Sequence, residues 1–122
     1  IDSKVVVVRA VKKYIREFNV SIVECRGPLN APAMATLTNR LRRLMDQNRT
    51  NVVIDFSKTH HVDLAAVGIL CDRIKKVRSY KGDIKFCNLS EEVSKTFKMV
   101  GVSRLIESFT TEQEAARSFQ VA

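Results

Sequence analysis

The stretch Val52-Val53-Ile54-Asp55-Phe56 limits this chain more than any other. It is short, almost continuously apolar and lacks period-2 alternation, which suits a central strand buried on both faces. A polar loop follows, Ser57 to His61, and Asp63 stands where its side chain can cap a helix. That helix runs over 64–80, with Gly82 just past its end in the role of a terminating glycine.

The flanking segments repeat the theme. Residues 4 to 26 are rich in β-branched side chains and read as two or three antiparallel strands, with turns near Lys12 and Asn19. Gly27-Pro28 stops the last of them. Asn30 then caps a first helix with Pro32 in its opening turn, and Met34, Leu37, Leu41, Leu44 and Met45 form its buried stripe. Ile84 to Cys87 is a further strand. Ser90 caps a third helix opened by Glu91 and Glu92 and ended by Gly101. Leu105-Ile106 reads as a brief strand, and Thr111 with Glu114 matches a capping box before a short last helix. Strands first, then repeated helix–strand units, give an α/β domain with a mixed sheet.

Composition narrows the function classes. At 122 residues the chain is one domain, able to bury a core without disulfides or metals. No apolar run approaches a membrane span, and Val5 to Val8 is too short for a secretory signal. The chain starts at Ile1 rather than Met, so upstream residues are expected to be missing. Cys25, Cys71 and Cys87 are odd in number and show no CxxC spacing, so they read as reduced core thiols of a cytoplasmic protein. The net charge of +8 calls for something acidic: a protein surface, a nucleic acid or anionic lipid. The bases cluster as Lys12, Lys13 and Arg16; Arg40, Arg42, Arg43 and Arg49; and Arg73, Lys75, Lys76, Arg78 and Lys81. Aromatics do not interleave with them and no nucleic-acid-binding signature is present, so an acidic protein partner is the better use of the charge.

The segment Val62-Asp63-Leu64-Ala65-Ala66-Val67-Gly68-Ile69-Leu70, behind an apolar strand and a short loop, resembles the signature of the STAS domain, the fold of bacterial anti-sigma factor antagonists. Gly27-Pro28-Leu29-Asn30 is similar to that family's turn before its first helix, although Asn30 replaces the usual aspartate. Cys87-Asn88-Leu89-Ser90 with Phe97, Val100-Gly101 and Leu105 resembles its closing elements, and Thr111 to Glu114 the start of its last helix. The resemblance covers about residues 13 to 120. It implies a single STAS-type domain over 1–122, with residues 1–12 as an N-terminal extension strand, and a mixed sheet whose helices pack mainly on one face.

The resemblance also implies a non-enzymatic regulator that binds a kinase-like anti-sigma factor. In many members a serine or threonine at the start of the second helix is phosphorylated, which adds charge to the partner-facing surface. Ala65 occupies that position here and has no hydroxyl; Leu64 and Ala66 stand where serine and glycine are usual. The usual switch is therefore expected to be absent, with Ser57 and Thr59 as the alternative hydroxyls in the loop. An adaptor subunit of a stress-signalling or transporter complex is the second reading, and a nucleic-acid binder the third.

Helical geometry places Val67, Leu70, Cys71, Ile74 and Val77 on the sheet-facing side of helix 64–80. Ala65, Gly68, Ile69, Asp72 and Lys76 fall on the opposite face, a small and partly apolar strip flanked by charge. The expected partner-binding set is Thr59, His60, His61, Asp63, Leu64, Ala65, Gly68, Ile69, Asp72 and Lys76. His60 and His61, adjacent beside Asp63 and near Asp55, lack a third residue at ligand spacing and read as loop histidines rather than a metal site. No phosphate loop, catalytic triad or cofactor motif is legible, so neither catalysis nor a cofactor is expected.

Overall fold

The computed structural model describes residues 5–119. In chain order the elements are β1 (Val6–Arg9), α1 (Lys12–Phe18), β2 (Val20–Arg26), α2 (Ala31–Asp46), β3 (Asn51–Lys58) and α3 (Leu64–Ser79), then β4 (Asp83–Cys87), α4 (Glu91–Met99), a 3₁₀ turn (Val102–Arg104), β5 (Ser108–Phe109) and α5 (Glu112–Arg117). One five-stranded sheet runs β1-β2-β3-β4-β5. β1 is antiparallel to β2, and every other neighbouring pair is parallel. Parallel neighbours need a long crossover, which α2, α3 and α4 with its following turn supply.

β3 is central, and its side chains alternate between two cores. Val52, Ile54 and Phe56 join Val23, Cys25, Ile84 and Phe86 in the larger core under α2 and α3. The stripe Met34, Leu37, Leu41, Leu44 and Met45 of α2 and Ala66, Val67, Leu70, Ile74 and Val77 of α3 close it, with Val93 and Phe97 of α4. Phe56 meets Phe86 at 5.0 Å and Phe97 at 5.6 Å between ring centroids, both edge-on, the arrangement ring quadrupoles favour. Val53, with Val20, Ile22 and Cys87, faces the other way, onto Ala115 and Ala116 of α5 and the half-buried Tyr14 and Phe18 of α1. The sheet is thus a mixed one with its helices mainly on one face and a thinner layer on the other.

The expected caps form. Asn30 Oδ1 accepts from Ala33 N at 3.0 Å, Ser90 Oγ from Val93 N at 3.2 Å, and Thr111 Oγ1 from Glu114 N at 3.1 Å. Two strand expectations fail. The segment around Tyr14, Arg16 and Phe18 is helical, not extended: Tyr14 and Phe18, four residues apart, share the helix face that covers the smaller core. Asn19 ends this helix in the left-handed region at φ 54°, with its N–H bonded to Ile15 O. The strand expected at Leu105-Ile106 is displaced. Those residues close the 3₁₀ turn, Ile106 is buried in the larger core, and pairing begins at Ser108.

Gly82 has a different task from the one expected. Lys81, not Gly82, takes the left-handed conformation after α3, at φ 64°. Gly82 instead passes against Thr50, where a Cβ would lie 2.0 Å from the Thr50 carbonyl oxygen. Glycine is required by close approach of two backbones rather than by dihedral freedom. Gly82→Ala is expected to lower the unfolding free energy by about 2 kcal/mol or more, because the clash is with main chain. Gly68, in open space on α3, is expected to tolerate alanine or gain up to about 1 kcal/mol of helix stability. Urea denaturation of the two variants checks this; equal effects would contradict it.

Candidate functional site

The loop between β3 and α3 is laced to the segment leading into α2. Gly27 N donates to Lys58 O at 2.9 Å, Leu29 N to His61 O at 2.9 Å, and Asp63 N to Leu29 O at 3.0 Å. Leu29 and Val62, paired by this bridge, are both buried. These bonds fix the direction in which α3 leaves the sheet and hold its first turns at the surface.

Ala65, Gly68, Ile69, Asp72 and Lys76 are all exposed on the outer side of α3, as the spacing predicts, and Leu64 joins them. Leu64 is 59% and Ile69 45% exposed, large values for apolar side chains one helical turn or so apart. Small Ala65 and Gly68 sit with them, so the start of α3 is a low apolar surface with charge only from Asp72 onward. His60 and His61 are exposed and Asp63 is half-buried. Two expectations are corrected. Asp63 occupies the N-cap position but its side chain caps nothing; its Oδ1 lies 3.0 Å from His61 Nε2. Thr59 is wholly buried, and its hydroxyl donates to Cys25 O at 3.2 Å. It is a structural pin, not a surface residue, whereas Ser57 is exposed with its amide bonded to Asp55 Oδ1.

A second cluster went unread in the sequence. Carboxylate oxygens of Glu24, Asp55 and Glu112 lie within 4.8 Å of one another, from within β2 and β3 and the first turn of α5. Three such oxygens can ligate a cation, but chain cations already answer them. Arg9 bonds directly to Glu112 and stands 3.6 Å from Glu24 and 3.8 Å from Asp55. Arg26 donates to Glu24 at 2.6 Å, with Lys58 at 3.7 Å, and Asn88 donates to Asp55 at 3.2 Å. The Arg26 hydrogen bond, against burial, holds Glu24 below the ordinary carboxylate range, helped by the charges of Lys58, Arg26 and Arg9. Burial pushes Asp55 up, but hydrogen bonds from Glu112, the Ser57 amide and Asn88 outweigh it and leave it low. Burial and the hydrogen bond with Asp55 raise Glu112, against the pull of Arg9. Of the two carboxyls, Glu112 is therefore the one that holds a proton more readily. The signal available in the sequence was an Asp in the middle of an otherwise apolar strand.

The thiols read as expected where buried. Burial, with Asp55 and Glu24 nearby, pushes Cys25 up to about 12 and raises Cys87 as well, so neither supplies a thiolate nucleophile. Cys71 is half-buried against the larger core. Among the described residues, no helix is long and apolar enough to cross a membrane.

Residues 11–115 match the family model described as the STAS domain. The fold is similar to that of the anti-sigma factor antagonist SpoIIAA in its unphosphorylated form, with a TM-score of 0.75, 19% identity, and coverage of 93% of this chain and 94% of that one; a phosphorylated SpoIIAA from Bacillus matches too. An anti-sigma factor antagonist from Mycobacterium paratuberculosis matches with a TM-score of 0.77 and 15% identity, covering 93% of this chain and 92% of the other. Part of the murine anion transporter Slc26a9 also matches, with a TM-score of 0.70 and 17% identity over 84% of this chain but 18% of the transporter.

The carboxylate cluster gives a test that needs no partner. Glu24 and Asp55, lowered in the fold, contribute stability that is present above the ordinary carboxylate pKa of about 4 and is lost as pH falls through their lower native values. Glu112, raised, acts with the opposite sign: its contribution is present on the acid side and lost as pH rises through its native value. Urea midpoints are therefore expected to fall steeply below about pH 4, and Glu24→Gln should flatten that acid limb. An acid limb as steep in Glu24→Gln as in the parent would contradict the assignment.

Proposed function

Because the chain belongs to the STAS domain family, we propose that it is a non-enzymatic regulator that docks a partner protein on the start of α3, in the manner of an anti-sigma factor antagonist. The observation that carries the reading is the exposed apolar pair Leu64 and Ile69 flanking Ala65 and Gly68. Small residues let a partner approach closely, and the two large side chains provide area to bury. His60, His61, Asp63, Asp72 and Lys76 form the polar rim. Thr59, being buried, is left out. The partner that suits this surface is a kinase-like anti-sigma factor, and the place of action is the cytoplasm.

Regulation differs from a hydroxyl switch at the helix start. Ala65 fills the first turn of α3 and cannot take a phosphate. Binding is constitutive at this position, or is controlled through exposed Ser57, whose added charge would sit at the edge of the same surface.

A second reading, an adaptor subunit of a stress-signalling or transporter complex, draws support from the same missing hydroxyl and from the likeness to a segment of a murine anion transporter. Capture of partners from the native host separates the two: a kinase-like protein supports the antagonist, a transporter or large signalling assembly the adaptor. In either case Ile69→Arg is expected to weaken the captured interaction about tenfold or more, the effect of losing an interface anchor. Its unfolding free energy should stay within about 0.5 kcal/mol of the parent, as for surface substitutions generally. Ala65→Glu should weaken binding in the same direction. Unchanged affinity in both variants, measured by titration calorimetry, would remove this surface from the account.

A further inference from the structure

The charge of this molecule is concentrated, and not where the proposed docking surface lies. The C-terminal half of α2 with Arg49, and that of α3 with Lys81, hold nine Lys and Arg against two acids, Asp46 and Asp72. That is nearly the whole net charge of +8. Both helices cross between parallel strands on the same face of the sheet, so their C-terminal ends lie side by side, away from the apolar start of α3.

Between them runs a groove of about 240 Å³, lined by Arg42, Met45, Asp46, Arg73, Lys76 and Tyr80 among others. Three cations face one carboxylate there. Tyr80 is half exposed, and the Lys76 ammonium stands 5.8 Å from its ring centre. Among the described residues, Nε of Arg73 is the one buried side-chain nitrogen or oxygen without a hydrogen-bond partner. Buried donors are ordinarily satisfied, and a guanidinium presents a planar fork of N–H groups that matches a carboxylate. By contrast Arg78, on the same helix, donates its Nε–H to Asp83 and an Nη2–H to the Leu105 carbonyl. The groove therefore gathers more positive charge than its one carboxylate, Asp46, can balance.

We infer that the groove between the C-terminal halves of α2 and α3 is a second contact site, which takes an acidic segment of a partner protein: two or more Asp or Glu side chains on Arg42, Arg73 and Lys76, beside an apolar residue on Met45 and Tyr80. The feature is too short to track a nucleic-acid backbone. It also offers one aromatic ring rather than a stacking series. The site shares Lys76 with the rim of the proposed docking surface but none of its apolar anchors, and it stands or falls without them.

The test uses a fluorescein-labelled peptide of about a dozen residues, rich in Glu with Leu at intervals, and a single-stranded oligonucleotide of the same net charge, read by anisotropy across a salt series. The peptide is expected to bind, more weakly as salt rises and more tightly than the oligonucleotide. Arg42→Gln/Arg73→Gln should lose tenfold or more in affinity. Arg40→Gln/Arg43→Gln removes the same charge from the side of α2 that faces β1 and should lose less than threefold. If Arg73→Gln lowers the melting temperature, Arg42→Gln/Lys76→Gln replaces it, with the same tenfold loss expected. Ile69→Arg should bind the peptide as the parent does, which separates this site from the proposed docking surface. Absence of peptide binding at low salt, preference for the oligonucleotide, or equal losses in the groove and control variants would overturn the inference.

Discussion

Burial of β3 on both faces is the constraint from which the rest of the fold follows. A strand with Val52, Val53, Ile54 and Phe56 all removed from water must have layers above and below it. α2 and α3 form one layer and α1 with α5 the other. Every parallel neighbour of β3 then needs a crossover, and the crossovers deliver the two long helices side by side on the thicker face. The loop leaving β3 has nowhere to go but over the sheet's edge, where its bonds to residues 27 and 29 set α3 with its first turns at the surface. The candidate docking surface is in this sense a by-product of how one apolar strand is covered.

The thinner layer has a smaller apolar core, and a charge cluster lies beside it. Arg9 from β1, Glu24 and Asp55 from the central strands and Glu112 from α5 meet in one cluster. A few residues away, the ammonium of Lys85 donates to the Ser118 carbonyl and hydroxyl and stands 4.5 Å from the Phe119 ring centre. Removing one member of such a network leaves a buried charge without its partner, which costs more than the pair contributes. The ends of the chain are thus tied to the middle by electrostatics, while its centre is held by packing.

The long elements were legible because their periodicity is dictated by a deep core: the stripe of α2, the run of β3 and the inner side of α3 are found where the spacing puts them. The first helix was not legible. Its seven residues carry only three apolar side chains, and the β-branched run of β2 beside it suggested strand. Asp63 and Thr59 misled for a related reason. Each has the residue type for its expected task, a cap and a surface hydroxyl, but a tertiary partner claimed it: His61 for one, the Cys25 carbonyl for the other. Gly82 was recognised as necessary for the wrong cause, since contact with Thr50 joins residues far apart in sequence. Of the site, the outer residues of α3 were readable from helical geometry alone. The carboxylate cluster was not, because Glu24, Asp55 and Glu112 meet only through the topology.

The central claim is that the start of α3 is the face through which this molecule acts. Hydrogen–deuterium exchange of the protein alone and in complex with a partner captured from its native host tests it most directly. The account requires slowed exchange across 61–72, covering the end of the loop and the first turns of α3, with α5 and β1 unchanged. Protection confined to α4 and α5, with 61–72 exchanging as in the free protein, would contradict it.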